Sequence, residues 1–185
     1  GRFEALSLES IARPLDVNLV AAVRLTRLVL PKMPRGACIV NIASASGLMA
    51  PGGLAAYAAS KFGLVGFSEA LRVELADRDI SVMAVCPAFV RTGILAKSAD
   101  QLGDKERQRA VSAAGARRAE MLETWGIEVD ALARQIATGI ERGDRVIVTS
   151  LWAKTLVLLR RVSPRAAEWV MRAGWLRMVK KGLVE

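Results

Sequence analysis

The chain has 185 residues, 52% of them apolar and 24% charged, with a net charge of +9. That suits one soluble globular domain with a substantial core. With no histidine and only two cysteines, Ser-His-Asp and Cys-His hydrolases and His-ligated metals are excluded, and a thiolate zinc site lacks ligands. Acid–base work must fall to Tyr, Lys, Asp or Glu.

The opening Gly1-Arg2-Phe3-Glu4 leads into a mixed helix rather than the apolar core of a secretory leader. Apolar residues at Ile11, Leu15, Leu19, Val23, Leu28 and Leu30 predict helix from Ser7 to Met33, starting near Pro14 or kinked there. Pro31 to Gly36 supplies a stop and a turn. Ala37 to Ala43 is almost wholly apolar, which predicts a strand buried on both faces of a parallel sheet. It ends in Ser44-Ala45-Ser46-Gly47, a small polar cluster suited to the mouth of a site.

After a loop over Met49 to Gly53, helix is predicted from Ala55 to about Arg78, then a second buried strand from Ile80 to Cys86, closed by Pro87-Ala88. Residues 88 to about 103 have no periodicity and read as a loop, and Asp104 to Trp125 reads as a charged helix. A helix over Val129 to Arg142 ends at Gly143 and precedes a strand at Arg145 to Val148. Cys38 and Cys86 each fall in a predicted strand and read as buried thiols, consistent with a reducing, cytoplasmic setting. The order of elements is an α/β pattern with parallel strands, whose ligand sites lie at the strands' carboxyl ends.

Residues 151–185 differ from the body: they hold eight Lys/Arg against two Glu. Ser163-Pro164 reads as a helix start. The following helix would place Trp169, Val170, Ala173, Leu176 and Val179 on one face. Such a basic amphipathic helix either covers the body or a partner, the favoured reading, or makes peripheral contact with an anionic membrane. No aromatic-interleaved patch or motif accompanies the charge, so no nucleic-acid partner is expected.

Tyr57 is the only tyrosine, and Lys61 follows it at i+4, on the same helical face. A cation beside a phenol favours the phenolate, which is how a tyrosine becomes an acid/base near neutral pH. Together, Asn18, Ser44, Tyr57-Ala58-Ala59-Ser60-Lys61 and Pro87-Ala88-Phe89-Val90-Arg91-Thr92 resemble the short-chain dehydrogenase/reductase family, with the likeness running from about residue 1 to 148 and densest over 37–94. The resemblance implies a catalytic tetrad of Asn18, Ser44, Tyr57 and Lys61. It also implies contacts to the nicotinamide end of NAD or NADP from Tyr57, Lys61, Pro87, Ala88, Val90 and Thr92.

Ala88 stands where the family has glycine, and neither Gly-x-x-x-Gly-x-Gly nor Gly-x-Gly-x-x-Gly occurs in the sequence. The expected fold is therefore the C-terminal part of a Rossmann-like doubly wound parallel sheet over 1–150, with a basic helical extension over 151–185. The expected function is interconversion of a small-molecule alcohol and a ketone or aldehyde. The intact protein would be a homo-oligomer, and the 185-residue chain inactive alone. The alternative is a non-catalytic remnant of the family that acts as an interaction or membrane-surface module.

Overall fold

The computed structural model describes residues 2–92, 122 and 124–181. The predicted loop beyond residue 92 and most of the predicted helix Asp104 to Trp125 lie outside the described residues.

Among the described residues, three parallel strands form the main sheet: β1 (Cys38–Ile42), β2 (Ser81–Cys86) and a strand at Val146–Val148, in the order β1, β2, third strand. A second, minimal sheet pairs β3 (Val90–Arg91) in parallel with β4 (Ile127–Glu128), so the Val146–Val148 strand is β5. The central strand is the most buried, and Val82 to Cys86 are at most 2% exposed. This is what a continuous β-branched and small apolar run specifies in a covered parallel sheet.

β1 departs from expectation. It is the edge of the main sheet, only half-buried along most of its length, with Ile42 exposed. Edge or centre is decided by neighbours, which an apolar run does not encode. Cys38 accordingly is half-buried, whereas Cys86 is fully buried, and both thiols are free.

The first predicted helix is continuous through Pro14 but irregular. It comprises α1 (Leu8–Leu15), a π turn (Asp16–Val20), α2 (Ala21–Val29) and a 3-10 turn (Leu30–Lys32). The π turn is closed by the Ala21 amide, which donates to the Asp16 carbonyl. α3 (Ala55–Glu74) packs on the sheet, and its small residues Ala58, Ser60 and Ser68 are buried. Asn41 of β1 donates to the Ser68 hydroxyl at 2.9 Å, and that hydroxyl donates to the Leu64 carbonyl. The buried amide nitrogen thereby has its partner.

α4 (Val129–Arg142) ends at Gly143 in the left-handed conformation, as predicted. The last residues form two helices, α5 (Leu151–Val162) and α6 (Pro164–Lys180), capped by Ser150 and Ser163. α6 does not use the predicted face. It turns Ala167, Met171 and Trp175 inward, while Trp169 and Leu176 are 72% and 52% exposed. Both faces carry apolar residues, and the choice is made by what they meet: Met171 joins a cluster of Ala45, Met49 and Ala153. Trp175 lies against Gly52.

Candidate active site

The site forms at the carboxyl ends of β1 and β2. Backbone pairing between the strands continues past them: the Ala43 amide donates to Val85 and the Ala45 amide to Pro87, at 2.7 and 2.8 Å. This carries the chain into the short turn Ala45–Gly47, with Ser44 as its cap. Ser44 is buried, and its hydroxyl oxygen accepts from the Ser46 amide at 3.1 Å. Gly47 lets the turn reach α3, since a Cβ there would sit 2.6 Å from the Lys61 carbonyl oxygen.

Lys61 is almost wholly buried and donates to the Ile42 carbonyl at 2.9 Å. Its ammonium lies 5.9 Å from the centre of the Tyr57 ring. Burial lowers its pKa below the usual lysine value, an effect the neighbouring Cys86 sulfur partly offsets. The carbonyl of an open strand end thus anchors a buried cation beside the phenol.

Asn18 sits on the π turn, and its amide donates to the Ser60 hydroxyl at 3.0 Å. Ser60 in turn donates to the Tyr57 carbonyl at 2.7 Å. This relay joins the first helix to the residue that carries the phenol. Ser60 lies between Tyr57 and Lys61 in sequence, but no motif marked it as a link. Its full burial is the signal, and that depends on the fold.

The remaining predicted residues follow β2. Pro87 is buried, Val90 is half-buried on β3, and Thr92 is exposed just beyond it. Ala88 donates its amide to the Thr149 hydroxyl at 3.3 Å. Among the described residues only Asp79 has a positive φ outside glycine, so Ala88 takes an ordinary conformation and alanine there is unstrained. Thr149 was not anticipated. It reaches Ala88 because β5 is placed beside β2.

Residues 1–103 match the family described as short chain dehydrogenase. Over 162 residues the chain is 32% identical to D-beta-hydroxybutyrate dehydrogenase of Cupriavidus necator, covering 86% of this chain and 57% of that protein. Over 106 residues it is 41% identical to nodulation protein G of Rhizobium sp. strain N33, covering 56% and 42%. A short chain dehydrogenase/reductase from Burkholderia phymatum, solved in complex with NAD, superposes with a TM-score of 0.76 at 25% identity, covering 90% of this chain and 62% of that one. One from Sphingobium yanoikuyae in complex with NADPH superposes at 0.62 and, at 24% identity, shows the shared fold. The chain belongs to the short-chain dehydrogenase/reductase family. It spans about half the length of these curated relatives.

Proposed function

We propose that this chain carries the catalytic centre of an NAD(P)-dependent oxidoreductase that interconverts an alcohol and a ketone or aldehyde. The observation that carries the reading is the Lys61 ammonium, bonded to the end of β1 and 5.9 Å from the Tyr57 ring.

The residues suit the nicotinamide end of the cofactor. An ammonium has three donors, and the bond to Ile42 uses one, so Lys61 can also hold a ribose hydroxyl. The segment Pro87 to Thr92 lies past the carboxyl end of β2, where open α/β sheets bind ligands. The pyrophosphate end is different, because the sequence has no glycine-rich turn to cradle it.

When bound, NAD(P) supplies or accepts the hydride. Tyr57 gives its phenolic proton to the carbonyl oxygen as the carbonyl carbon is reduced, and takes it back in the oxidation. Lys61 stabilises the charge left on the phenol, and Ser44 holds and polarises the substrate oxygen. Asn18 steadies the helix that bears Tyr57 through Ser60. Exposed Leu25 and Leu28 on α2 and Val73 on α3 offer apolar surface for a homo-oligomer of the intact protein.

The test is cofactor-dependent oxidation of a panel of alcohols, with Tyr57→Phe as the control. It is run on this chain and, where the reading frame continues upstream, on the longer product. Turnover abolished by Tyr57→Phe supports the assignment, and turnover that survives it refutes it. For the 185 residues alone, calorimetry should detect no NAD(P) binding, and micromolar affinity would overturn that.

A further inference from the structure

The packing of α5 and α6 leaves outward surfaces that the body does not use. On α5, Leu151, Leu158 and Val162 are 82%, 60% and 76% exposed. Their spacing of seven and four residues places them on one stripe, opposite the fully buried Ala153. On α6, Trp169 and Leu176 share a stripe with the exposed cations Arg165, Arg172 and Lys180. Steps of four, three, four and four residues run down that stripe, alternating cation and apolar side chain.

Packing on the body does not account for this face, because Ala167, Met171 and Trp175 dock α6 from its other side. Glu168 is the only acidic residue in either helix. A second copy of the chain would bring like charges together. A nucleic acid would satisfy the cations but not Leu151, Leu158 and Val162. An anionic bilayer satisfies both: indole and leucine enter the headgroup boundary while guanidinium and ammonium groups meet lipid phosphates. No helix among the described residues is long and apolar enough to cross a membrane.

The geometry points to the outward stripes of α5 and α6 as a peripheral docking surface for anionic lipid bilayers, an assignment independent of the catalytic reading. Flotation of the 185-residue protein with phosphatidylcholine vesicles, with and without phosphatidylglycerol, tests it. Binding should require the anionic lipid and fall with salt. The exposed variant Arg165→Glu/Arg172→Glu/Lys180→Glu should lower partitioning by about 100-fold or more, and Trp169→Ser/Leu176→Ser should weaken it separately. Far-UV circular dichroism and the urea midpoint check that both variants stay folded. Equal binding to neutral vesicles, no binding, or unchanged binding of the charge-reversed variant would overturn the assignment. So would self-association that Trp169→Ser/Leu176→Ser abolishes, which would make the face a contact between copies.

Discussion

The indole of Trp175 covers Gly52 so closely that a Cβ on the glycine would lie 2.6 Å from the ring. Gly52 belongs to the connection between the Ser44 turn and α3, which starts just before Tyr57. The last helix thereby braces the segment that spaces two candidate catalytic residues. Gly52→Ala must displace the loop or α6, since the Cβ would also meet Cδ2 and Cγ, at 2.7 and 3.0 Å, where the indole joins its side chain. We expect a loss of about 1–3 kcal/mol, read from urea midpoints. In a Trp175→Leu background the same change should cost less, and equal costs in both backgrounds would show that the two residues are uncoupled.

Cys86 gives the protein a weakness toward alkali. Burial raises its thiol to about 11 from 9.0, against smaller opposing effects of the Ser44 backbone and Lys61. A pKa raised on folding contributes stability that is present below 9.0 and lost as pH climbs through about 11. The rise corresponds to about 3 kcal/mol. Lys61 acts in the opposite sense: with its pKa lowered, stability grows with pH between that lowered value and 10.5. Urea midpoints between pH 8 and 11 should fall less steeply above pH 9 for Cys86→Ala than for the parent. Parallel slopes would contradict this.

The relay from Asn18 through Ser60 predicts that Ser60→Ala costs about 1 kcal/mol, because a fully buried hydroxyl serves two partners. Asn18→Ala should cost no more, as Asn18 is only half-buried and water can reach Ser60 in its place. A double-mutant cycle measures the coupling. Additive losses would mean that the bond contributes nothing to stability.

The outer edge of β1 faces a groove of about 500 Å³, lined on its other wall by Val17, Leu25 and Val29 and at one end by Lys61. A parallel edge with no strand partner among the described residues, beside an apolar groove, favours strand addition. The 185-residue chain should therefore self-associate with rising concentration in sedimentation velocity. A monomer throughout would count against that.

Legibility in the sequence followed how local each feature is. β2 and α3 could be read because an unbroken apolar run and a helix of small residues specify burial wherever they sit. The spacing of Ser44, Tyr57 and Lys61 was legible for the same reason. The pairing of Val90 with Ile127 was not, since two-residue strands leave no period. Nor was the inward face of α6: Met171 and Trp169 are equally plausible as core until Ala45 and Met49 provide the pocket.

The π turn at Asp16–Val20 has a further meaning for how the chain tolerates change. A turn closed from residue 21 back to residue 16 holds one residue more than an α turn, so the faces of α1 and α2 are offset by about 100° relative to a regular helix. Substitutions in this stretch can keep that offset, but losing a single residue would erase it. Asn18 would then swing away from Ser60, or α2 would rotate Thr26 out of the interior. The connection between the first helix and the candidate tetrad is thus guarded by residue number as much as by residue type, and deletion is the lesion it cannot absorb.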